Sequence, residues 1–447
     1  MYTNILRYKP SISITTLPEP RIRYQRQRNM LDIYQDKKTS ATDSKIDSRS
    51  IIHTASLLRH TPLSTLNYLL TTQQLTSRTL TEYSLHLIAS TNPTYNHTLD
   101  TSPIAIDTAT TLDTALQRRS ALHGIPILLK DNIPTLGDSM NTACGSLALV
   151  GAVPSEEAEV VDVLLHRFAR GEICHHMYEP TKQALLRDLD IAISTPCIHG
   201  IRIAIPCPYT LREFQNLSPF KTLAFDNLVL SLKEAGATVI RNVAIPGAPV
   251  WASLSLPEQT ILFYADMKAS INAYLSSLTT NPYNITDLAS LIAFTKHHPD
   301  EQYPRRNVEG LENAQAADLD ASLYKKMLEK EDYFINGEGG IHAALTACCA
   351  DVIILPTLSP TMQMLAAKAG SPVMSVPMGI FPVDTIVEKD EGSGLVSVAP
   401  GIPFSAYIFG RGGKDEVTMK VGYAVERARR VQERLVPYLE AVAEEGS

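Results

Sequence analysis

The sequence predicts an α/β protein with a mixed, largely parallel central sheet covered by helices. Apolar residues at helical spacing alternate along the chain with short β-branched runs, and serines or threonines stand where helix caps are needed. The β-α-β order over residues 201–240 favours parallel strands. A continuous apolar run at Val352–Leu355, closed by a proline, is typical of a strand buried on both faces.

The composition is that of a globular protein and excludes several function classes. The 447 residues are 44% hydrophobic and 19% charged, with a net charge of -7, which offers no basic field for nucleic acid or an acidic membrane surface. No run of 18 apolar residues predicts a membrane span. The six cysteines form no C-x-x-C pair, and the N-terminus lacks an apolar signal core. We therefore expect a cytoplasmic protein.

Residues 1–50 are polar, mixed in charge and weakly periodic, which predicts a poorly ordered N-terminal extension. A mitochondrial presequence is the alternative interpretation, because four arginines lie close together there. Acidic residues in the same stretch count against it. The remainder, residues 51–447, is expected to form one domain.

Four helices and one strand are predicted in the first part of the chain. The second helix begins at Thr76–Ser77 and the fourth at Ser155, where the side-chain oxygens can cap them. Between them, Gly124–Asp131 is predicted as a short buried strand whose last two residues, Lys130 and Asp131, are charged. Strand ends are where sites tend to form in α/β sheets. The two other helices are expected from near Thr54 and over Ala109–Ser120.

Strands and helices continue to alternate in the second part of the chain. A strand is predicted at Ile201–Ile205, and Ser218–Pro219 opens a helix that ends at Gly236. Residues 258–345 are expected to be mainly helical. The other expected elements are strands at Thr238–Ile240, Val352–Leu355 and Val373–Val376, a hairpin or loop at 384–399, and a terminal helix at about Asp415–Leu439.

Two consecutive motifs carry a resemblance to a known family. They are Gly124-Ile-Pro-Ile-Leu-Leu-Lys130-Asp131-Asn132-Ile133 and Asn141-Thr-Ala-Cys-Gly145-Ser146. They resemble the opening motif of the amidase signature family, most closely its fungal acetamidase-like members, and weaker similarity extends over residues 51–440. The resemblance implies the amidase signature fold and hydrolysis of a small carboxamide by a Ser–cis-Ser–Lys triad, with no metal and no cofactor. By position, Lys130 matches the catalytic lysine.

The chemistry of this triad explains its residue types. A serine hydroxyl is a poor nucleophile at neutral pH and needs a base beside it. A buried lysine can be that base when desolvation keeps it neutral, and a bridging serine passes the proton between them. Backbone N–H groups in a glycine-rich loop stabilise the oxyanion, each contributing about 3–4 kcal/mol.

The two serines of the triad are not found. The family carries a Gly-Gly-Ser-Ser-Gly loop beyond the lysine, but neither Gly-Gly-Ser nor Ser-Ser-Gly occurs here. The similarity weakens after Leu165 and resumes near Leu185. We therefore expect an internal deletion, an incomplete core, and a domain that is discontinuous relative to the family around residues 166–200.

Three groups of residues are weighed as substitutes and none is assigned to the site. Ser393 lies between glycines in a charged stretch that is typical of a surface turn. Ser194 lacks the glycines that let backbone amides converge. A third group has neither the spacing of a zinc finger nor a clear nucleophile and base. Its members are Cys174, His175, His176, Cys197 and His199.

Two functional interpretations stay open. In the first, the chain is an amidase-type hydrolase acting on a small-molecule amide, and the missing serine reflects a faulty gene model. In the second, it is a catalytically inactive pseudoamidase with a binding or structural role. A subunit of a tRNA-dependent amidotransferase is a weaker alternative, because the sequence has no basic tRNA-facing run. We expect no nucleic-acid partner and no membrane association, and homo-oligomerisation stays open.

Overall fold

The computed structural model describes residues 61–115, 118, 120, 122–136, 140–158, 161, 197–207, 214, 217–390 and 394–435. The predicted N-terminal extension and nearly all of the predicted discontinuity at 166–200 lie outside these residues. The chain divides into two compact units. One comprises residues 1–174, 277–284 and 440–447, and the other comprises residues 175–276 and 285–439.

The first unit contains three described helices, of which the first two share a small leucine-rich core. They are α1 (Leu63–Thr71), α2 (Ser77–Tyr95) and α3 (Ala105–Asp113). Thr76 caps α2 as predicted, because its side chain accepts the Thr79 N–H. The α3 helix starts and ends earlier than predicted. Asp113, its last residue, accepts the backbone N–H groups of Ser77 and Arg78 at 2.7 and 3.0 Å, so a tertiary contact sets its end.

The predicted buried strand at Gly124–Asp131 is wrong. The described backbone of residues 125–130 belongs to no strand, and the Leu128 side chain is 77% exposed. Pro126 supplies no N–H for a strand ladder. The apolar run packs on one side only, where Ile125 contacts the core of α1 and α2.

The helix predicted to begin at Ser155 does not start there. Residues 155–158 are non-helical, and their polar groups bond elsewhere in the first unit. Glu157 Oε1 accepts the Leu136 N–H at 3.1 Å, and the Ala158 N–H donates to the Pro134 carbonyl at 3.0 Å. Val161, assigned to the inner face of this helix, is helical and buried.

A five-stranded sheet forms the centre of the described part of the second unit. Its strands are β1 (Arg202–Pro206), β2 (Thr238–Val243), β3 (Val352–Leu355), β4 (Val373–Ile380) and β7 (Pro403–Gly410), in the order β2-β1-β3-β7-β4. β1 is parallel to β2 and β3, whereas β7 is antiparallel to β3 and β4. Four of the five strands therefore run in one direction, which confirms the predicted mixed, largely parallel sheet.

Helices cover both faces of this sheet. Val352 and Ile354 of β3 face the helices at Pro219–Glu234 and Asp415–Arg429, whereas Ile353 and Leu355 face those at Gly247–Ser253, Ile341–Ala347 and Pro360–Ala369. All four side chains are fully buried, as alternation across a strand covered on both sides requires. The helices that follow β1 are α4 (Pro219–Glu234), α5 (Gly247–Ser253), α6 (Leu256–Ser277), α7 (Leu288–His297), α8 (Glu309–Ala316), α9 (Ala321–Ile335), α10 (Ile341–Ala347), α11 (Pro360–Ala369) and α12 (Asp415–Arg429).

Most of the elements predicted for this unit are confirmed, with two differences. The helix predicted from Ser218 is α4, and the hairpin predicted at 384–399 is present as β5 (Glu388–Lys389) and β6 (Val396–Val398). The terminal helix ends at Arg429, because Arg430 adopts a left-handed φ of 45°. Strand β7 was not predicted. None of the described helices combines the length and apolar character that crossing a membrane would need.

Candidate active site

Lys130 lies at the start of a tight turn on the surface of the first unit. The Ile133 N–H donates to the Lys130 carbonyl oxygen at 2.9 Å, which closes the turn. The Lys130 residue is exposed. Within the part of the chain that the structure describes, its ammonium makes no hydrogen bond and no ion pair. The structure therefore places the predicted site residue on a defined turn without bringing a serine hydroxyl to it.

The neighbouring Asp131 holds the second half of the amidase-like motif in place. Its carboxylate oxygens accept the N–H groups of Ala143 at 3.1 Å and Gly145 at 2.8 Å. Its backbone oxygen also accepts the Cys144 N–H at 3.4 Å. Three consecutive backbone donors thus converge on one aspartate. Because these N–H groups are already bonded, this glycine-containing loop does not supply them to a substrate oxyanion.

The same loop is fastened at two further points. Asn141 donates from its backbone and side-chain nitrogens to Asp100 Oδ2, at 3.3 and 3.4 Å, while its own Oδ1 accepts the Gly151 N–H at 2.9 Å. Ser146 Oγ accepts the Ala148 N–H at 3.2 Å and caps a short 3-10 turn. Residues Asn141 and Ser146, quoted in the motif, therefore act here as structural anchors.

Cys144 and Gly145 form the bend that makes this convergence possible. Both have a left-handed φ, 51° at Cys144 and 75° at Gly145, which only glycine adopts without cost. Desolvation and the nearby Asp131 carboxylate together raise the pKa of the Cys144 thiol. Cys144 is consequently a protonated thiol at neutral pH and not an activated nucleophile.

We expect Asp131→Asn to loosen this loop. An amide keeps one acceptor oxygen but loses the charge and the second acceptor, and each hydrogen bond to a charged group contributes about 1.5–3 kcal/mol. Amide hydrogen exchange at Ala143 and Gly145 should therefore accelerate by about 10-fold or more. Asp107→Asn, on the exposed side of α3, makes the same charge change in the same unit. Equal exchange rates in the two variants would contradict the anchoring role of Asp131.

The described geometry assigns no catalytic role to the residues considered as replacements for the missing serines. Ser393, Ser194, Cys174, His175 and His176 lie outside the described residues. Cys197 is an exposed free thiol, and the His199 side chain packs near Gly236. No group of three or more potential metal ligands is present in the residues that the structure describes.

The contribution of Asp131 is the feature of this site that the sequence did not predict. Its position as a charged residue directly after Lys130 was noted, but its partners lie twelve and fourteen residues downstream. The signal was the combination of an aspartate with a later Cys-Gly pair that can bend the chain. These residues alone do not show that Asp131 anchors the loop, because the contacts with Ala143 and Gly145 exist only in the folded chain.

Comparison with known proteins finds sequence similarity to amidases. The family model described as Amidase matches residues 79–168, a range that contains Lys130 and the whole anchored loop. A putative amidase of Arthroderma benhamiae is 33% identical over 219 residues, which are 48% of this chain and 36% of that protein. A probable amidase of Arabidopsis thaliana is 22% identical, with 80% of this chain aligned to 88% of it. The chain is therefore similar to amidases, and the family match itself covers residues 79–168.

Solved structures of amidases share the fold of this chain. The peptide amidase of Stenotrophomonas maltophilia superposes with a TM-score of 0.61 at 20% identity, covering 83% of this chain and 97% of that one. An amidase family protein of Bacillus anthracis superposes with a TM-score of 0.62 at 16% identity, covering 92% and 98%. At these identities the likeness establishes the amidase signature architecture and nothing about substrate.

Proposed function

We propose that this chain has the scaffold of a hydrolase that cleaves the C–N bond of a small linear carboxamide, and that Lys130 is the member of its Ser–cis-Ser–Lys triad that is present. The observation that carries the proposal is the Amidase family match over residues 79–168, which spans Lys130 and its turn. The anchored loop supports it, because Asp131 rigidly fixes the turn on which Lys130 stands. Rigid support is what a proton-transfer residue requires.

The proposed reaction proceeds in two halves. A serine hydroxyl attacks the amide carbonyl carbon while its proton passes through the bridging serine to the lysine amine. The C–N bond then breaks and the leaving nitrogen takes that proton, leaving an acyl ester on the serine. Water repeats the sequence to release the acid. In this scheme Lys130 accepts and returns the proton, which requires it to be neutral and shielded from water when substrate is bound.

A second candidate, a non-catalytic amidase-like protein, is favoured by two specific observations. Lys130 is exposed, whereas a catalytic lysine base needs burial. The alignment with the Arabidopsis protein is 479 positions long, yet 80% of this 447-residue chain is about 358 residues, so about 121 positions face a gap in this chain. Unmatched positions in this number are consistent with loss of the serine-bearing segment, which agrees with the absence of any Gly-Gly-Ser in the sequence.

An amidase assay with a lysine variant separates the two candidates. If the chain is a hydrolase, Lys130→Ala should lower the rate of ammonia release from a panel of linear carboxamides by at least about 100-fold, because proton transfer contributes that much. Lys325→Ala, an exposed lysine on α9, is the matched control and should retain the wild-type rate. Background rates in all three proteins would overturn the catalytic proposal and support the non-catalytic one.

The transcript provides an independent test of the gap. A longer message that encodes a Gly-Gly-Ser-Ser block between Phe168 and Leu185 would show that the shorter chain is a product of a faulty gene model. The assay should then be repeated on the longer protein. A message that matches the present sequence together with background rates would assign the chain a binding or structural role.

A further inference from the structure

A histidine joins three elements at one end of the second unit. His342 lies on α10, and its Nε2 atom is 3.0 Å from the Gly412 backbone nitrogen and 3.0 Å from Ser371 Oγ. Gly412 belongs to the turn between β7 and α12, and Ser371 to the turn between α11 and β4. We call these three residues the His342 latch.

The hydrogen-bond chemistry determines the protonation state of the latch. A backbone N–H can only donate, so Nε2 must be an acceptor toward Gly412. The proton of the neutral ring therefore lies on Nδ1, and the ring carries no charge in this geometry. Because the Nε2 lone pair is shared with Gly412, His342 is poorly placed to activate Ser371 as a nucleophile, and we interpret the cluster as structural.

The surroundings favour the neutral ring. Arg411, on the same turn, donates from Nη1 to the His342 carbonyl at 3.2 Å and to Thr346 Oγ1 at 3.0 Å. Desolvation of the ring, with a smaller contribution from the Arg411 charge, lowers the pKa of His342 below its usual value.

Arg411 is the one charged group of the described residues that acts on the pKa of His342, and the charged groups on the adjoining elements bond elsewhere or lie further along the turn. Lys368 of α11 and Glu331 of α9 bond to one another at 2.6 Å. Lys414 and Asp415 lie where the turn enters α12.

We propose that the His342 latch is an acid-sensitive contact that bonds Gly412 of the β7–α12 turn to α10 only while His342 is neutral. Protonation places an N–H on Nε2, which then faces the Gly412 N–H donor, and two donors cannot bond to one another. The new positive charge also lies beside Arg411. The Gly412 N–H consequently loses its acceptor on α10 at low pH, whereas the Arg411 side chain still bonds to α10.

The direction of the pH effect follows from the lowered pKa. The unfolded chain binds a proton at His342 near its ordinary pKa, whereas the folded chain resists binding until the pH is lower. The stabilising contribution is therefore complete above the unfolded pKa. It is lost progressively as the pH falls toward the folded pKa.

Amide hydrogen exchange of the full chain at about pH 7.5 and about pH 5 tests the latch. We expect the protection factor of Gly412, corrected for intrinsic exchange chemistry, to fall on acidification by up to about tenfold for each pKa unit that folding removes from His342. In His342→Gln, which cannot titrate in this range, the protection of Gly412 should be independent of pH. His298→Gln changes a histidine that stacks on Phe294 elsewhere in the unit and should behave like the wild-type protein.

The wild-type measurement tests the latch by itself, so the experiment does not depend on the folding of His342→Gln. A Gly412 protection factor that is equal at the two pH values overturns it. A parallel fall across the β3 amides would indicate general acid unfolding and would also overturn it. An unchanged pH dependence in folded His342→Gln would assign the effect to another group.

Discussion

Replacing Glu331 by alanine is expected to lower the free energy of unfolding of the second unit by about 2–4 kcal/mol. Glu331 on α9 binds Lys368 on α11 at 2.6 Å, and the two side chains are only 13% and 15% exposed. The Lys368 ammonium also lies 5.5 Å from the centre of the Trp251 ring. Without Glu331 it would remain as a nearly buried, unpaired charge. We place the cost at the lower end of the range for buried pairs, because some solvent screening remains.

A second ion pair in the same unit provides the matched control. Lys330 and Glu258 approach to 3.8 Å, but their side chains are 53% and 52% exposed. Lys330→Ala, which breaks this exposed pair, should therefore destabilise the unit much less than Glu331→Ala. Urea denaturation curves of both variants measure the difference.

Replacing both members of the buried pair separates the charge from the packing. The double variant Glu331→Met, Lys368→Met should recover most of the loss, because an apolar pair of similar volume removes the unpaired charge. Equal destabilisation by Glu331→Ala and Lys330→Ala would show that the pair with Lys368 is screened like a surface pair.

Gly124→Ala is expected to destabilise the first unit by about 2–5 kcal/mol. Gly124 has a left-handed φ of 77°, which costs an alanine about 1–2 kcal/mol. In addition, a Cβ at this position would overlap Ser77 Oγ and approach Ser77 Cβ to 2.8 Å. Ser77 is nearly fully buried at the start of α2 and donates its N–H to Asp113, so it cannot move aside without breaking that contact.

Gly145→Ala isolates the backbone strain from the steric overlap. Gly145 has a φ of 75°, close to that of Gly124, but nothing lies within 4 Å of a Cβ built there. Its substitution should cost only the strain, about 1–2 kcal/mol. Thermal unfolding followed by a probe in α2 measures both variants. Equal costs at the two glycines would show that Ser77 yields to the added methyl group.

Local sequence signals predicted many of the regular elements. A capping oxygen predicted the helix start at Thr76–Ser77, and a proline at the first helical position predicted the start at Ser218–Pro219. The Thr76 and Ser218 side chains each accept an N–H of the helix that follows. The apolar run Val352–Leu355 was assigned as a doubly buried strand and is the central β3. Such signals act over a few residues and therefore survive without knowledge of the rest of the chain.

The failures share a different physical cause. The Gly124–Asp131 run has the composition of a buried strand, but its burial depends on which neighbours reach it, and they cover one side only. Strand β7 lies between two glycine-containing turns, and buried and less buried residues alternate over its first five positions. Its place between β3 and β4 comes from pairing with residues far away in sequence.

In the candidate site, too, local features could be predicted from the sequence and long-range contacts could not. Lys130 could be singled out from the sequence, because the motif around it occupies consecutive positions that a family resemblance can match. The anchoring of its loop could not. Asp131 reaches N–H groups more than ten residues ahead, and the exposure of Lys130 depends on what packs above it.

By itself, the sequence determined the fold class, the helix caps at Thr76 and Ser218, the buried strand β3 and the resemblance to amidases, because each of these depends on neighbouring residues or on their order. The tertiary structure alone decided which N–H groups Asp131 holds, that Lys130 faces solvent, and that His342 must be neutral to bind Gly412. These properties depend on distances between residues that the chain separates, and they form only when the chain closes on itself.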